Sequence, residues 1–321
     1  MGRTIRGWLW AALWVASSPA WSQAWPSKPV RLVVPTSAGT ATDLTARFLA
    51  DRLGSALGAS VIVENKAGAN GIIATESVAK APPDGHTLLV AASTHYINKA
   101  LYARLNFDPI ADFVPIARVN AAYLVLVAPP SLGVRDLAEL TRRMKAQPRA
   151  LSYATAGSGS TTHLAATLLT SSLGVEALHV PYKGGAQALT DTIGAQVQFT
   201  FTAIAQAAPH VRAGTLVPIA TTGARRPASM PAVPTIAESG LPGYEIASRL
   251  GLMAPRGTPD EVVRKLGEAV ERIVRSAEFA EFCQAQGLDV DYANAAAYAG
   301  AAAQELAYWA SVVGRSGAKA D

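Results

Sequence analysis

Residues 151–169, LSYATAGSGSTTHLAATLL, read as a buried strand, a loop of small residues and the opening of a helix. Leu151, Tyr153 and Ala154 supply the apolar run, and Gly157 and Gly159 let the backbone turn tightly. Ser158, Ser160, Thr161 and Thr162 bring hydroxyls to the point where the helix begins. The first N–H groups of a helix lack intrahelical partners and sit at its positive end, so a turn this bare of bulk suits a carboxylate or phosphate. From this stretch alone, a tight structural turn and an anion loop are equally good readings.

The same order of parts occurs once earlier, with VRLVV at 30–34, PTSAGTATD at 35–43 and LTARFLADRL at 44–53. Two such units, far apart in sequence, can aim two helix N-termini into one cleft. Outward from them, apolar runs at 60–64, 87–92, 123–128, 177–180, 197–201 and 217–222 predict strands. Helices are predicted over 72–80, 132–145, 186–193 and 293–313, and from a capping box at Thr258, Pro259 and Glu261 to residue 274. Strands alternating with helices give an α/β chain with doubly wound sheets. Residues 93–115 show little period and are expected as loops and short helices near the cleft mouth. The proline-rich segment 223–244 reads as surface loop and hinge.

With 321 residues, half of them apolar and 16% charged, the chain suits two compact α/β domains sharing a cleft and is not disordered. The expected division is a cleaved signal peptide at 1–24, domain one at 25–125 and 246–321, and domain two at 126–245. Arg3 and Arg6, the apolar run 8–16, and Ser22 and Ala24 before the cut form a signal for the general secretory route. Later apolar runs are too short to span a bilayer. Loss of Arg3 and Arg6 takes the formal charge from +5 to +3, and the remaining excess is scattered, so nucleic acid is not an expected partner. Cys283 is the single cysteine and is expected as a small core hydrophobe beside Phe279 and Phe282.

The segment from Gly157 to Thr162 lacks the third glycine of a dinucleotide fingerprint, and GSGST is not the nucleophile-elbow pattern. A hydrolase using Ser158 or Ser160 with His163 has no evident third residue to orient the base. The five histidines have no chelating spacing, so neither metal nor cofactor is expected. His163, in the first turn of its helix, is expected to bond locally. For His95, among Ser93, Thr94 and Asn98, a cleft role and a satisfied loop histidine are both open. Asp43 has capping as its default role and can also support the first loop from inside, since a buried carboxylate would repel an anion.

Taken in order, WPSKPVRLVVP, GTATDLTAR, VENKAGANG, PPDGHTLLV, THYINKALY, SYATAGSGSTTHLA, HVPYKGGAQALTD, MPAVPTIAESGLPGYE and APRGTP resemble the Bug family across nearly the whole chain after residue 24. These are periplasmic receptors of tripartite tricarboxylate transporters. The resemblance implies a type II periplasmic binding fold, with two α/β domains hinged around an interdomain cleft, and no catalysis. It implies export to the periplasm of a Gram-negative cell, a small organic carboxylate as ligand, and membrane transporter subunits, or a sensor kinase, as partners of a monomer. Carried onto this chain, the ligand-binding positions are Ser37, Ala38, Gly39, Thr40 and Asp43 in the first loop and Ser158, Gly159, Ser160 and Thr161 in the second. Thr94, His95, Asn98, Tyr182, Lys183 and Gly184 flank the cleft. Thr36 stands where the family has an aromatic residue, Thr40 where it has a second glycine, and Arg249 near a usual tryptophan. Arg249 facing inward would meet a second anionic group; the alternative is a solvated arginine at the hinge surface.

Overall fold

The computed structural model describes residues 25–316. The signal-peptide reading concerns residues 1–24, which lie outside the described residues. Three strands form the first half-sheet: β1 (Val30–Val34) lies between β2 (Val61–Asn65) and β3 (Thr87–Ala91), parallel to both. β1 and β3 are almost wholly buried because α1 (Ala41–Leu57) and α2 (Ile72–Ala79) cover the sheet, and continuous apolar runs are what two covered faces demand. The second half repeats the pattern, with β5 (Ser152–Thr155) between β6 (Leu178–Pro181) and β7 (Phe199–Ala203), again all parallel.

Two antiparallel strands complete and join these halves. β9 (Ala247–Pro255) pairs with β3, and β4 (Phe113–Ala128) pairs with β7. β4 is long enough to serve both halves: residues 113–123 pair with β9, whereas 124–128 pair with β7 and β8 (Val217–Thr221). β10 (Leu288–Asn294) runs along the other edge of β4, antiparallel to it. The β4–β9 register shifts between Pro115 and Ala117, where a proline without an N–H cannot continue the ladder. The result is a mixed α/β fold with one continuous, curled sheet.

Helices α3 (Thr94–Leu101), α4 (Leu137–Ala146), α5 (Thr161–Leu173), α6 (Gly185–Ile193) and α7 (Ile204–Arg212) follow strands or turns, as alternation predicts. α8 (Asp260–Val274) and α9 (Ala277–Ala285) pack with α1 in one apolar core that also buries Cys283, whose thiol burial pushes up to about 12. α10 (Ala295–Ser316) packs on α3, β4 and β10, all within or bordering the segments expected as domain one, and it also reaches α5, where fully buried Trp309 shares a core with Leu164 and Leu168. Three expectations change. β4 begins ten residues before the predicted start at 123, and β9 and β10 replace stretches left without structure. Thr258 does not cap α8; its hydroxyl donates to Pro255 O, and Pro259 occupies the cap position.

Candidate functional site

Loop one joins β1 to α1. Thr40 is the cap of α1 and accepts the Asp43 N–H at 3.3 Å. Asp43 turns its carboxylate back under the loop, where Oδ2 accepts from Gly39 N–H at 2.8 Å and Arg47 Nε at 3.0 Å, and Oδ1 accepts from Asn65 Nδ2 at 2.9 Å. Burial alone would raise this carboxyl's pKa, but the Arg47, Gly39 and Asn65 donors outweigh it and hold the group below its ordinary 3.8. Thr36 and Thr40, the two departures from the family pattern, touch through their hydroxyls at 2.6 Å.

Loop two joins β5 to α5 and repeats this construction. Ser160 caps α5, accepting the His163 N–H at 3.3 Å and donating to Gly157 O at 2.6 Å. Nδ1 of His163 accepts the Gly159 N–H at 3.1 Å, and Thr162 Oγ1 accepts the Ala156 N–H at 2.9 Å. Gly39 and Gly159 both sit in the left-handed region, at φ of 81° and 73°, which aims each glycine N–H at the side chain four residues on.

A cavity of about 280 Å³ lies against loop two, lined by Asn70, Leu101, Tyr102, Ala156, Ser158, Gly159 and Ser160. None of these residues is charged. Elements of both halves meet here: a Cβ on Gly159 would come within 3.1 Å of Leu101 Cδ1 on α3. Asn70, in a left-handed turn at φ 52°, donates from Nδ2 to Asn98 Oδ1 at 2.8 Å and accepts from Asn98 Nδ2 on its carbonyl at 3.0 Å. Pro35 and Thr94 flank Gly71, whose Cβ would approach Pro35 Cβ to 2.9 Å and Thr94 Oγ1 to 3.7 Å, but Ser37, Ala38, Gly39 and Thr40 do not line this cavity. α6 starts alongside loop two. Gly184 gives it no side-chain cap, and Gly185 faces Ala156. Gly157 faces the Tyr182 carbonyl, while the Tyr182 hydroxyl is turned to Asp191 at 2.7 Å and Lys183 is exposed.

The model of the tripartite tricarboxylate transporter family receptor, TctC, matches residues 45–317. The chain belongs to this family. BugT of Bordetella pertussis is 33% identical over 305 residues, covering 94% of each chain. Among solved structures, a Rhodopseudomonas palustris protein solved with adipate superposes with a TM-score of 0.82 at 34% identity, covering 92% of this chain and 99% of that one. MatC from the same species, with bound malate, gives 0.78 at 33% identity, over 90% and 99%. The periplasmic binding protein BugD gives 0.79 at 34% identity, over 92% and 99%.

A TctC receptor binds a solute and is not an enzyme, and the hydrolase alternative fails in detail. The Ser160 hydroxyl donates to a carbonyl, and the His163 ring faces a backbone N–H rather than the serine. Two site expectations are corrected. His95 is a core group: 2% exposed, with Nε2 on Pro109 O at 2.8 Å and its ring edge-on to Phe113, and burial depresses its pKa to about 4. Arg249 does not line the loop-two cavity, and it is ion-paired rather than freely solvated. Its guanidinium meets Glu245 at 2.7 Å, Glu305 at 3.1 Å and Asp291 at 3.3 Å in a separate cavity of about 680 Å³ that shares no lining residue with the first. Three carboxylates arrayed on β10, α10 and the lead-in to β9 hold it there. Sequence reasoning did not single out Asn70, Leu101, Tyr102 or Ala156. Asn70 inside the glycine-flanked turn 68–71 was the detectable signal, since asparagine tolerates the left-handed region.

Proposed function

We propose that this TctC-family protein is exported through the signal at 1–24 and works as a monomer in the periplasm. There it captures a small organic carboxylate and presents it to membrane transporter subunits. The observation that carries the reading is the uncharged cavity at the start of α5, where the Ser158 hydroxyl, the second Nδ2 hydrogen of Asn70 and first-turn backbone N–H groups offer neutral donors at the positive end of a helix. Each hydrogen bond to an ionised carboxylate contributes about 1.5–3 kcal/mol, so three or four support micromolar capture after association costs. The volume, about 280 Å³, falls at the low end of ligand pockets and favours a small acid. Adipate and malate, found on two relatives, are the first candidates for the class. The proposed lobes are 25–125 with 246–321, and 126–245, closing about the strands β4 and β9 that pass between them.

A thermal-shift screen over mono-, di- and tricarboxylates, amino acids and sugars tests this, because a ligand specific to the folded form raises the midpoint. A carboxylate hit that is weakened by Ser158→Ala or Asn70→Ala is the expected result. Stabilisation by a neutral sugar, with no response to any acid, would end the carboxylate reading.

A further inference from the structure

The loop against the cavity is held from behind by an imidazole. His163 does not line the cavity and is buried, at 8% exposure for the residue, but its Nδ1 takes the Gly159 N–H at 3.1 Å. A nitrogen that accepts cannot carry a proton, so the ring is the neutral tautomer with hydrogen on Nε2. Behind it, His179 stacks at 4.2 Å and 12°, Tyr153 stacks on His179 at 5.1 Å, and Phe199 on Tyr153 at 5.6 Å. His179 Nε2 meets Thr155 Oγ1 at 2.7 Å, which fixes the second ring from the strand that feeds the loop.

We infer that His163 is a positioning residue for the anion loop, and that the loop holds its aim only while this imidazole is neutral at Nδ1. This deepens, and rests on, the carboxylate reading above. A proton added at Nδ1 would set one N–H against another, so Gly159 must swing away and the neighbouring Ser158 hydroxyl and loop N–H groups lose their direction. Besides His163, the elements α5, β5, β6 and β7 carry only Tyr153 and His179 as titratable groups, and two imidazolium rings stacked at 4.2 Å would repel each other. From α10, packed on α5, Glu305 is held by Arg249 and Trp309 Nε1; α3 brings Lys99, paired with Asp108, and the buried His95.

Isotope-labelled protein titrated between about pH 8 and pH 5 decides the matter by nuclear magnetic resonance. The expected result is an unprotonated Nδ1 on His163 at neutral pH and a Gly159 amide shift that moves with the His163 midpoint. Bound adipate should lower that midpoint, whereas simple attraction between an anion and an imidazolium would raise it. Adipate affinity should fall roughly fivefold to tenfold towards the acid end, the loss expected from one misdirected hydrogen bond. His163→Asn, whose carbonyl can accept from Gly159, should bind with a flat pH profile, and His163→Ala should bind weakly throughout. A ring that serves only as packing would make Asn and Ala equally poor with the pH slope unchanged, which overturns the inference. A Gly159 amide indifferent to His163 titration, or a midpoint raised by adipate, overturns it too. Should adipate not bind at any pH, the carboxylate reading suffers, yet the tautomer and the Gly159 shift still judge this inference by themselves.

Discussion

Loop one and loop two share a backbone plan and differ in the chemistry of one residue. Each has a left-handed glycine, Gly39 or Gly159, then a hydroxyl cap, Thr40 or Ser160, then a side chain at the third helical position that reaches back to the glycine N–H. This is a capping box displaced by one residue, with the return bond made to the residue before the cap. In loop one the returning group is the Asp43 carboxylate, which needs Arg47 and Asn65 to stabilise its buried charge. In loop two it is the His163 imidazole, supported by a ring stack. The uncharged cavity lies against loop two. A neutral support leaves the positive end of α5 available to an anion, whereas the Asp43 charge counters the end of α1.

Acid separates the two constructions, provided a large acid effect that belongs to neither loop is known. His95 titrates at about 4 when folded against 6.5 when free. The unfolded chain therefore binds its proton first, and stability falls as pH drops from 6.5 to about 4, by about 3 kcal/mol in total. Denaturant unfolding across that window should show this slope in the wild type and lose most of it in His95→Gln. Loop one should be silent there. The Asp43 pKa is depressed, so its contribution is present above 3.8 and lost only as pH falls through the lower folded value. Asp43→Ala should cost about 2 kcal/mol near neutrality, because the Gly39 N–H and the Asn65 amide lose a buried acceptor. A loss much smaller than that would mean the loops are not held alike.

The glycines give a smaller and sharper contrast. Alanine at either position is strained by roughly 1–2 kcal/mol in the left-handed region. At Gly39 nothing lies within 4 Å of the new Cβ, so strain is the whole effect. At Gly159 the Cβ also presses Leu101 Cδ1 at 3.1 Å, so Gly159→Ala should cost more and should weaken carboxylate binding where Gly39→Ala does not. Equal effects on stability and affinity would show that loop two does not approach α3 this closely in solution.

Much of this was legible in the sequence, because the signals are local. A continuous apolar run, small residues and a hydroxyl before a helical period mark both β1–loop–α1 and β5–loop–α5, and the structure places those elements within a residue or two at most starts. β9 and β10 were not legible. RLGLMAP has no clear period of two, and the alternation in LDVDYAN covers only Leu288 to Tyr292 between helical segments; both become strands by pairing with β4, more than a hundred residues away. The ends of the side chains were illegible for the same reason. Nothing around His95 in sequence announces Pro109 O and Phe113, and nothing near Arg249 announces Asp291 and Glu305.

The smallest effect at the site is expected from Arg249→Met, and it tests whether loop two alone governs the anion. The methionine keeps an apolar stem but leaves Glu245 and Glu305 without their cation, while Asp291 retains Arg118 at 2.7 Å. Stability should therefore fall. Affinity should not, since the Arg249 cavity and the loop-two cavity have no residue in common and the guanidinium already answers three carboxylates. Calorimetry with adipate and with a monocarboxylate of similar length, on wild type and Arg249→Met, should give ratios that agree within about twofold, less than the worth of one charge-assisted bond. A selective loss of the dicarboxylate would put Arg249 within reach of the ligand in the closed form. The contrast between the loops would then need a third, cationic contributor from β9.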